Sequence, residues 1–405
     1  MEVKSGRKQT EAGVIPNDWQ VDSIGKVFRL INGRAFKPTD WKLQGTPIIR
    51  IQNLNDPDAP FNYSTAPVEE RHRVEAGDLL FAWSGTTGTS FGARVWKGPS
   101  GVLNQHIFKV IIDERKLTPD FSLLILQKIQ EDIDKKAHGF KASFVHVKKS
   151  DLVGVCLPVP PIPEQRAIAG ALSDVDALIG AMDQLIAKKR DLKQAAMQQL
   201  LNGQQRLPGF HGKWELRRLG DVAEMGSGGT PPSSVLAYYN GHIPWVSISD
   251  MTKGGKVILS TDRNLTNAGF ANSAAQMFPV GTVLYAMYAS LGECSIAGIS
   301  LCSSQAILGI RPKDNLDKEF LYYFLSSLKP VVKAMGQHGT QANLNKGMVQ
   351  DFQLCLPPLS EQAAVAQVLS DMDAEIAALE QRRDKSRALK QGMMQELLTG
   401  RTRLV

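Results

Sequence analysis

Apolar residues recur at alternating steps of four and three through Ile168, Leu172, Val175, Ile179, Met182 and Ile186. They recur again through Val365, Leu369, Met372, Ile376 and Leu379, before the second stripe meets Arg383. That spacing is the seam of an α-helical coiled coil. Glu164 and Glu361 follow proline-containing turns (PPIPEQ and PPLSEQ), where a helix starts readily and an acidic residue complements the N-terminal dipole. Gly203 and Gly400 stand where a C′ glycine ends each helix. A helix from Glu164 to about Leu201 is roughly 57 Å long at ~1.5 Å per residue. An isolated helix would expose such a stripe to water, so the two are expected to pack on each other.

Charge gives that packing a direction. The first half of each helix is acidic (Glu164, Asp174, Asp176, Asp183; Glu361, Asp371, Asp373, Glu375, Glu380). The second half is basic (Lys188, Lys189, Arg190, Lys193; Arg382, Arg383, Lys385, Arg387, Lys390). Antiparallel packing sets acid against base, and parallel packing would set like against like. The plainer alternative is that these charges complement each helix dipole and stay solvated.

The two helical tails are copies. With Pro160 laid over Pro357, they align without a gap to Leu207 and Leu404, and about half the positions are identical. Weaker echoes precede each copy. IPNDWQVDSIGKV from Ile15 resembles FHGKWELRRLGDV from Phe210, matching Trp19 to Trp214. TPIIRIQNLN from Thr46 echoes IPWVSISDMT from Ile243, GDLLFAW from Gly77 echoes GTVLYAM from Gly281, and His138-Gly139 echoes His338-Gly339. A repeat of this kind decides the architecture: bodies at 1–158 and 208–356, helical tails at 159–207 and 357–405. In the bodies, Pro47–Ile51, Asp78–Ala82, Ile107–Ile112 and Val280–Tyr285 read as strands, and Phe121–Lys136 and Lys318–Met335 as helices. The expected class is α+β: two tandem mixed domains separated by a pair of long antiparallel helices, with a pseudo-two-fold internal repeat.

Composition changes little. The 405 residues carry 47 Lys+Arg against 40 Asp+Glu, a formal charge of +7 that leans toward a polyanionic partner. Cys156, Cys294, Cys302 and Cys355 form no CxxC pair, which argues against a disulfide framework or structural zinc and suits a reducing cytoplasm. The opening MEVKSGRKQTEAG has no apolar h-region and no apolar run approaches ~18 residues, so secreted and membrane classes are set aside.

The chemical inventory points away from catalysis. There is no GxxxxGK[ST] loop, no [DNS]PP[YF] tetrapeptide and no HExxH or HxxxH spacing. Pro119-Asp120 with Asp134-Lys135-Lys136 fits a loose nuclease pattern, but the stretch between them reads as helix. No catalytic residue, cofactor site or metal site is assigned to this chain. What the bodies offer is polar loop sequence with interleaved aromatics. In the first body the candidates for DNA contact are Arg71, Arg73, Ser84, Thr86, Thr87, Arg94, Asn104, Gln105, His106, Lys141 and His146. In the second they are Ser227, Thr230, Tyr238, Tyr239, Ser247, Lys253, Gln305, Gln341, Asn343, Asn345 and Lys346. Amide and hydroxyl side chains pair with base edges, and Lys and Arg hold phosphates.

These residues resemble a known family, the specificity (S) subunit of type I restriction–modification systems. The resemblance rests on PPIPEQRAI and PPLSEQAAV opening two helices that close in LLNG and LLTG, on GSGGTPPS with NGHIPWVSISDM, and on GDLLFAWSG with LNQHIFKV. It covers essentially the whole chain. It implies that each body is a target recognition domain and that the helices are the central and distal spacers. It also implies two methyltransferase subunits with S-adenosylmethionine, restriction subunits with ATP and Mg, and a split, asymmetric DNA target, all in the cytoplasm. The second body departs from the pattern, with Ser304-Gln305-Ala306 where the first has Asn104-Gln105-His106. On the residues alone, a free-standing tandem DNA-binding protein without enzyme partners stays open as the alternative.

Overall fold

The structure, a computed structural model, describes residues 6–56, 58–86, 89–139, 144–338 and 343–404. It divides into two compact units, Met1–Met182 with Arg382–Val405, and Asp183–Gln381.

The first unit is built on an antiparallel sheet of four strands, β1 (Phe28–Asn32), β2 (Leu79–Ala82), β4 (Gly92–Val95) and β5 (Ile107–Ile112), in the order β4-β2-β5-β1. Between β2 and β4 in sequence lies β3 (Ser84–Thr86), which pairs with β6 (Phe144–His146). Side chains on the two faces of the sheet meet different partners, as strand alternation requires. Leu30, Phe81, Phe108 and Val110 share a core with α1 (Pro119–Gly139) through Phe121, Leu124 and Ile125. Leu80, Ala82 and Ile107 pack instead with Ile49, Val74 and Leu103 of a second four-stranded sheet. β2 is consequently buried along its whole length.

The second unit repeats the plan with a five-stranded sheet. Its strands β7 (Ala223–Ser227), β8 (Val257–Ile258), β9 (Val283–Ala286), β10 (Cys294–Ala297) and β11 (Ile307–Pro312) lie in the order β7-β11-β9-β10-β8. A three-stranded sheet of Tyr239–Val246, Arg263–Leu265 and Cys302–Ser303 stands beside it. The helix expected over Lys318–Met335 is two helices, Lys318–Ser327 and Lys329–His338. Pro330 has no N–H to extend the ladder, so the chain restarts there. Ile51, read as the end of a strand, opens a short helix, Ile51–Asn55.

Two 39-residue helices, Ile162–Leu200 and Leu359–Leu397, each contribute one half to each unit. In the first unit Ile168 and Leu172 share a core with Met394, Leu397 and Leu398. In the second, Val365 and Leu369 share one with Met197, Leu200 and Leu201. Met182, Ile186 and Ile376 are buried, and Val175, Ile179, Met372 and Leu379 are half-buried. Lys390 pairs with Asp176 at 2.7 Å in the first unit. In the second, Lys189 pairs with Glu375 at 2.7 Å, and Arg190–Glu380 and Lys193–Asp373 are further ion pairs. Both helices end in glycines at positive φ, Gly203 at 74° and Gly400 at 66°.

Each long helix begins with a buried Glu-Gln pair. Glu164 is fully buried; it accepts from the Trp19 indole N–H at 2.8 Å and from both arms of Arg403 at 2.5 and 2.7 Å. Arg403 also reaches Asp18 at 2.8 Å. Glu361 repeats the clasp with Trp214 at 3.2 Å and Arg206 at 2.9 and 2.6 Å. Gln165 spans the Thr118 N–H (2.8 Å) and the Lys116 carbonyl (2.7 Å) ahead of α1. Gln362 does the same at Asp317 (2.8 Å) and Asn315 (3.0 Å), ahead of Lys318–Ser327. The all-but-invariant spacing of these groups in the two copies ties each body to the start of its helix.

Replacing Glu164 with Ala leaves the Trp19 indole donor unpaired and Arg403 with Asp18 alone, and is expected to cost about 2–3 kcal/mol, read as a lower urea midpoint. Asp18→Asn, on the exposed rim, is expected to cost at most about 1 kcal/mol. Arg403 holds the Asp18 carboxyl below its usual value. That contribution is therefore full above an unfolded-state pKa of about 3.9 and lost as pH falls through the lower folded-state value. The gap between wild type and D18N should close below about pH 4.

Candidate nucleic-acid interface

The same backbone frame occurs in both units. In the first, the Gly33 N–H donates to the Ile107 carbonyl (3.1 Å), Arg34 to Leu103 (2.8 Å), Trp83 to His106 (3.2 Å) and Val147 to Trp83 (3.0 Å). In the second, Gly228 donates to Ile307 (3.1 Å), Gly229 to Ser303 (2.8 Å), Met287 to Ala306 (2.8 Å) and Leu344 to Met287 (3.0 Å). Glycine is required at the first position of each frame. A Cβ on Gly33 would lie 2.1 Å from the Asn104 carbonyl oxygen, and one on Gly228 would lie 2.3 Å from that of Ser303. Such approaches exclude every other residue.

What the frame carries differs. In the first unit Trp83 packs against two imidazoles, with ring centroids 5.2 Å from His106 and 4.9 Å from His146, and it stacks on Phe108 at 5.8 Å. His146 and Ser84 face each other across the β3–β6 pair. Gln105 Nε2 lies 3.2 Å from His106 Nε2. Two buried polar atoms at this cluster, Trp83 Nε1 and His106 Nδ1, have no hydrogen-bond partner among the described residues. In the second unit Met287, Ala306 and Asn343 occupy the corresponding places. There Thr230 hydrogen-bonds Gln305, and Tyr239 donates to the Pro231 carbonyl at 2.7 Å.

Beside the first frame, edge strand β1 borders an open groove of about 840 Å³ lined by Arg29, Asn32, Arg71, His72, Lys109 and Lys149, among others. Lys149 donates to the Leu30 carbonyl at 2.7 Å and sits 6.0 Å from the Phe108 ring centroid, so the groove adjoins the aromatic cluster. Lys109 pairs with Asp78 at 2.7 Å and Arg71 with Glu69 at 2.7 Å. Arg29 is exposed, with no ion pair among the described residues. Burial, then the Arg71 charge, keeps the His72 imidazole below its usual pKa. Among the described residues, the second unit has no such cation row at the equivalent edge. Its β7–β11 pair places Gly226 opposite Gly309 there, closed over by Gln276 and Phe278, and Glu224 pairs with Arg311 at 2.9 Å.

The other candidates are scattered or already engaged. Arg94 holds a loop through Asn55 (3.3 Å) and the Thr89 and Ser90 carbonyls. Ser247 binds Asp250 at 2.6 Å in a capping box, and Asn345 caps Lys346–Gln350 through the Met348 N–H (3.0 Å). Lys253 pairs with Asp262 at 3.1 Å, and Arg73 lies 3.8 Å from Glu70. Asn104 accepts from the Gln105 N–H at 2.8 Å, and the Ser227 carbonyl accepts from Gln276 at 2.6 Å. Thr86 and Lys346 are exposed, and Tyr238 is half-buried. Thr87, Lys141 and Gln341 lie outside the described residues. Among the described residues, no group of three or more His, Cys, Asp or Glu could hold a metal ion, and no helix is long and apolar enough to cross a membrane.

The family model of the type I restriction modification DNA specificity domain matches the chain twice, over residues 16–188 and 211–386. The chain belongs to that family. Curated relatives agree along its whole length. The putative type I restriction enzyme MjaX specificity subunit of Methanocaldococcus jannaschii is 25% identical, with 98% of this chain and 96% of the relative covered. The MjaVIII specificity subunit of the same organism is also 25% identical, covering 96% and 94%. A chain solved in work on complex assembly and conformational transition of the type I R–M system superposes with a TM-score of 0.65 at 19% identity, covering 95% of this chain and 99% of that one. The S subunit from M. genitalium gives 0.54 at 15% identity, with 98% of each covered. The fold is therefore that of the specificity subunits: two tandem specificity domains of mixed helix and strand. The family's role is non-catalytic recognition of DNA sequence.

For that role the first unit offers cations in a groove and a polar-aromatic cluster at its end. Arg29, Lys109, Lys149 and Trp83 were not among the residues singled out from sequence. The repeat held a signal for one of them, since Trp83 falls on Met287 when GDLLFAW is laid on GTVLYAM. Arg29→Ala and Lys149→Ala should each weaken binding to duplex DNA evenly across sequences. Each should also reduce the slope of log affinity against log salt by about one, measured by fluorescence anisotropy between about 50 and 200 mM salt.

Proposed function

We propose that each unit reads one half of a bipartite, asymmetric DNA target. The observation that carries this reading is the shared frame with different side chains: the same backbone presents Trp83, His106 and His146 in one unit and Met287, Ala306 and Asn343 in the other. One docking geometry used twice with unlike side chains recognises two unlike half-sites. In this reading Gln105, His106 and His146 of the first unit, and Thr230, Gln305, Asn343 and Lys346 of the second, face the grooves.

The two long helices form an antiparallel coiled coil that relates the units by a pseudo-two-fold and sets the gap between half-sites. Supporting it are the ion pairs of acidic first halves with basic second halves, Asp176–Lys390 and Glu375–Lys189. Two methyltransferase subunits dock on this scaffold and transfer methyl groups to adenine N6, and restriction subunits join through them. S-adenosylmethionine, ATP and Mg belong to those partners, and the assembly works in the cytoplasm.

Mapping methylated adenines in cells tests the reading. Exchanging residues 1–158 for the corresponding body of another specificity subunit should change one half of the methylated sequence and leave the other intact. A change in both halves, or methylation that does not depend on this chain, overturns it. Deleting seven residues from each long helix removes ~10.5 Å and should shorten the gap by about three base pairs.

A further inference from the structure

We infer that Trp83 and His106 are specificity-determining residues of the first unit, which donate to paired acceptors on a purine edge, guanine N7 and O6. The inference rests on the reading that the first unit contacts one half of a DNA target, and it names the residues and the base. Indole Nε1–H is a donor and nothing else. In this structure it is buried without an acceptor, as is His106 Nδ1, on a ring whose centroid is 5.2 Å away. In the tautomer whose Nε2 accepts from the Gln105 amide nitrogen 3.2 Å away, His106 carries its proton on Nδ1, and both orphaned atoms are then donors. A buried donor without a partner is costly, and native proteins leave few. Two in contact mark a place where an acceptor pair is to be supplied from outside.

The class of acceptor follows from the surroundings. A phosphate is held by cations, and Arg29, Lys109 and Lys149 already line the adjoining groove. At the Trp83 cluster the neighbours are Ser84, Gln105 and His146, the side chains of base-edge readers. Among base edges in the major groove, only guanine presents two adjacent acceptors. His146 is exposed and lies edge-on to the indole, whereas Phe108, stacked on the indole, is fixed in the core. In this inference the exposed His146 turns aside to admit the base edge to the two N–H groups. The second unit has no equivalent, because Met287 and Ala306 at the same frame positions carry no polar side-chain atom.

The test is selection from a randomised duplex pool by the full chain with the subunits that co-purify with it, comparing wild type, Trp83→Phe and His106→Ala. His106→Ala installs the residue found at that frame position in the second unit, so it decides the matter if Trp83→Phe does not fold. Both variants should lose about tenfold in preference for a G·C pair at one position of one half-site, with the other half and the salt slope unchanged. Wild-type preference in a folded variant, a preferred pair other than G·C at the affected position, or an even loss across sequences with a shallower salt slope overturns the inference. Absence of any sequence preference in the wild type would instead overturn the reading beneath it.

Discussion

A carboxylate with no exposure to water stands at the first turn of each long helix, and the attachment of both bodies depends on it. Taking a charged group out of water costs several kcal/mol unless its lone pairs are met with good geometry. Glu164 and Glu361 meet that condition alike, with a forked arginine on both oxygens and an indole N–H on one. The arginine comes from the tail of the other long helix at Glu164 and from the preceding tail at Glu361. Each clasp therefore gathers three separate stretches of chain at one buried point. Because a broken clasp leaves charges stranded, it favours one arrangement over nearby alternatives more sharply than apolar packing alone would.

Fixing the bodies this way frees the side chains at the far end of the sheets. Backbone N–H and C=O groups must be paired wherever they are buried, and the frame built on Gly33 and Gly228 meets that requirement with matching hydrogen bonds. None of those bonds uses a side chain. The exposed side chains at positions 146 and 343 can therefore vary without loosening the fold, whereas Trp83 and Met287 pack against the cores of their units and are fixed by them.

Periodicity and self-comparison made the long helices, the copied tails, their terminal glycines and most core strands legible in the sequence. These are local patterns, or patterns that repeat. Contacts between residues far apart in the chain were not legible. Glu164 reads as a dipole-complementing acid at a helix start, yet its partners are Trp19 and Arg403. Arg94, Ser247 and Asn345 read as free polar side chains because composition cannot show that a loop carbonyl or a helix N-terminus already occupies them. Trp83 passed as one aromatic in a glycine-rich stretch, and only the fold brings His106 and His146 against it. The break before Pro330 had a visible cause that the apolar pattern across it outweighed.

The two units also differ in where their affinity for a polyanion arises. Along β1 of the first unit, Arg29 stands exposed beside an open groove whose Lys109 and Arg71 are paired with Asp78 and Glu69. At the equivalent edge of the second, Gly226 and Gly309 let Phe278 and Gln276 close onto the backbone, and the remaining charges cancel in Glu224–Arg311. Counterion release scales with the number of phosphates neutralised. On the reading proposed above, the first unit's contact with a duplex carries the larger salt-dependent share, while each unit still discriminates its own half-site.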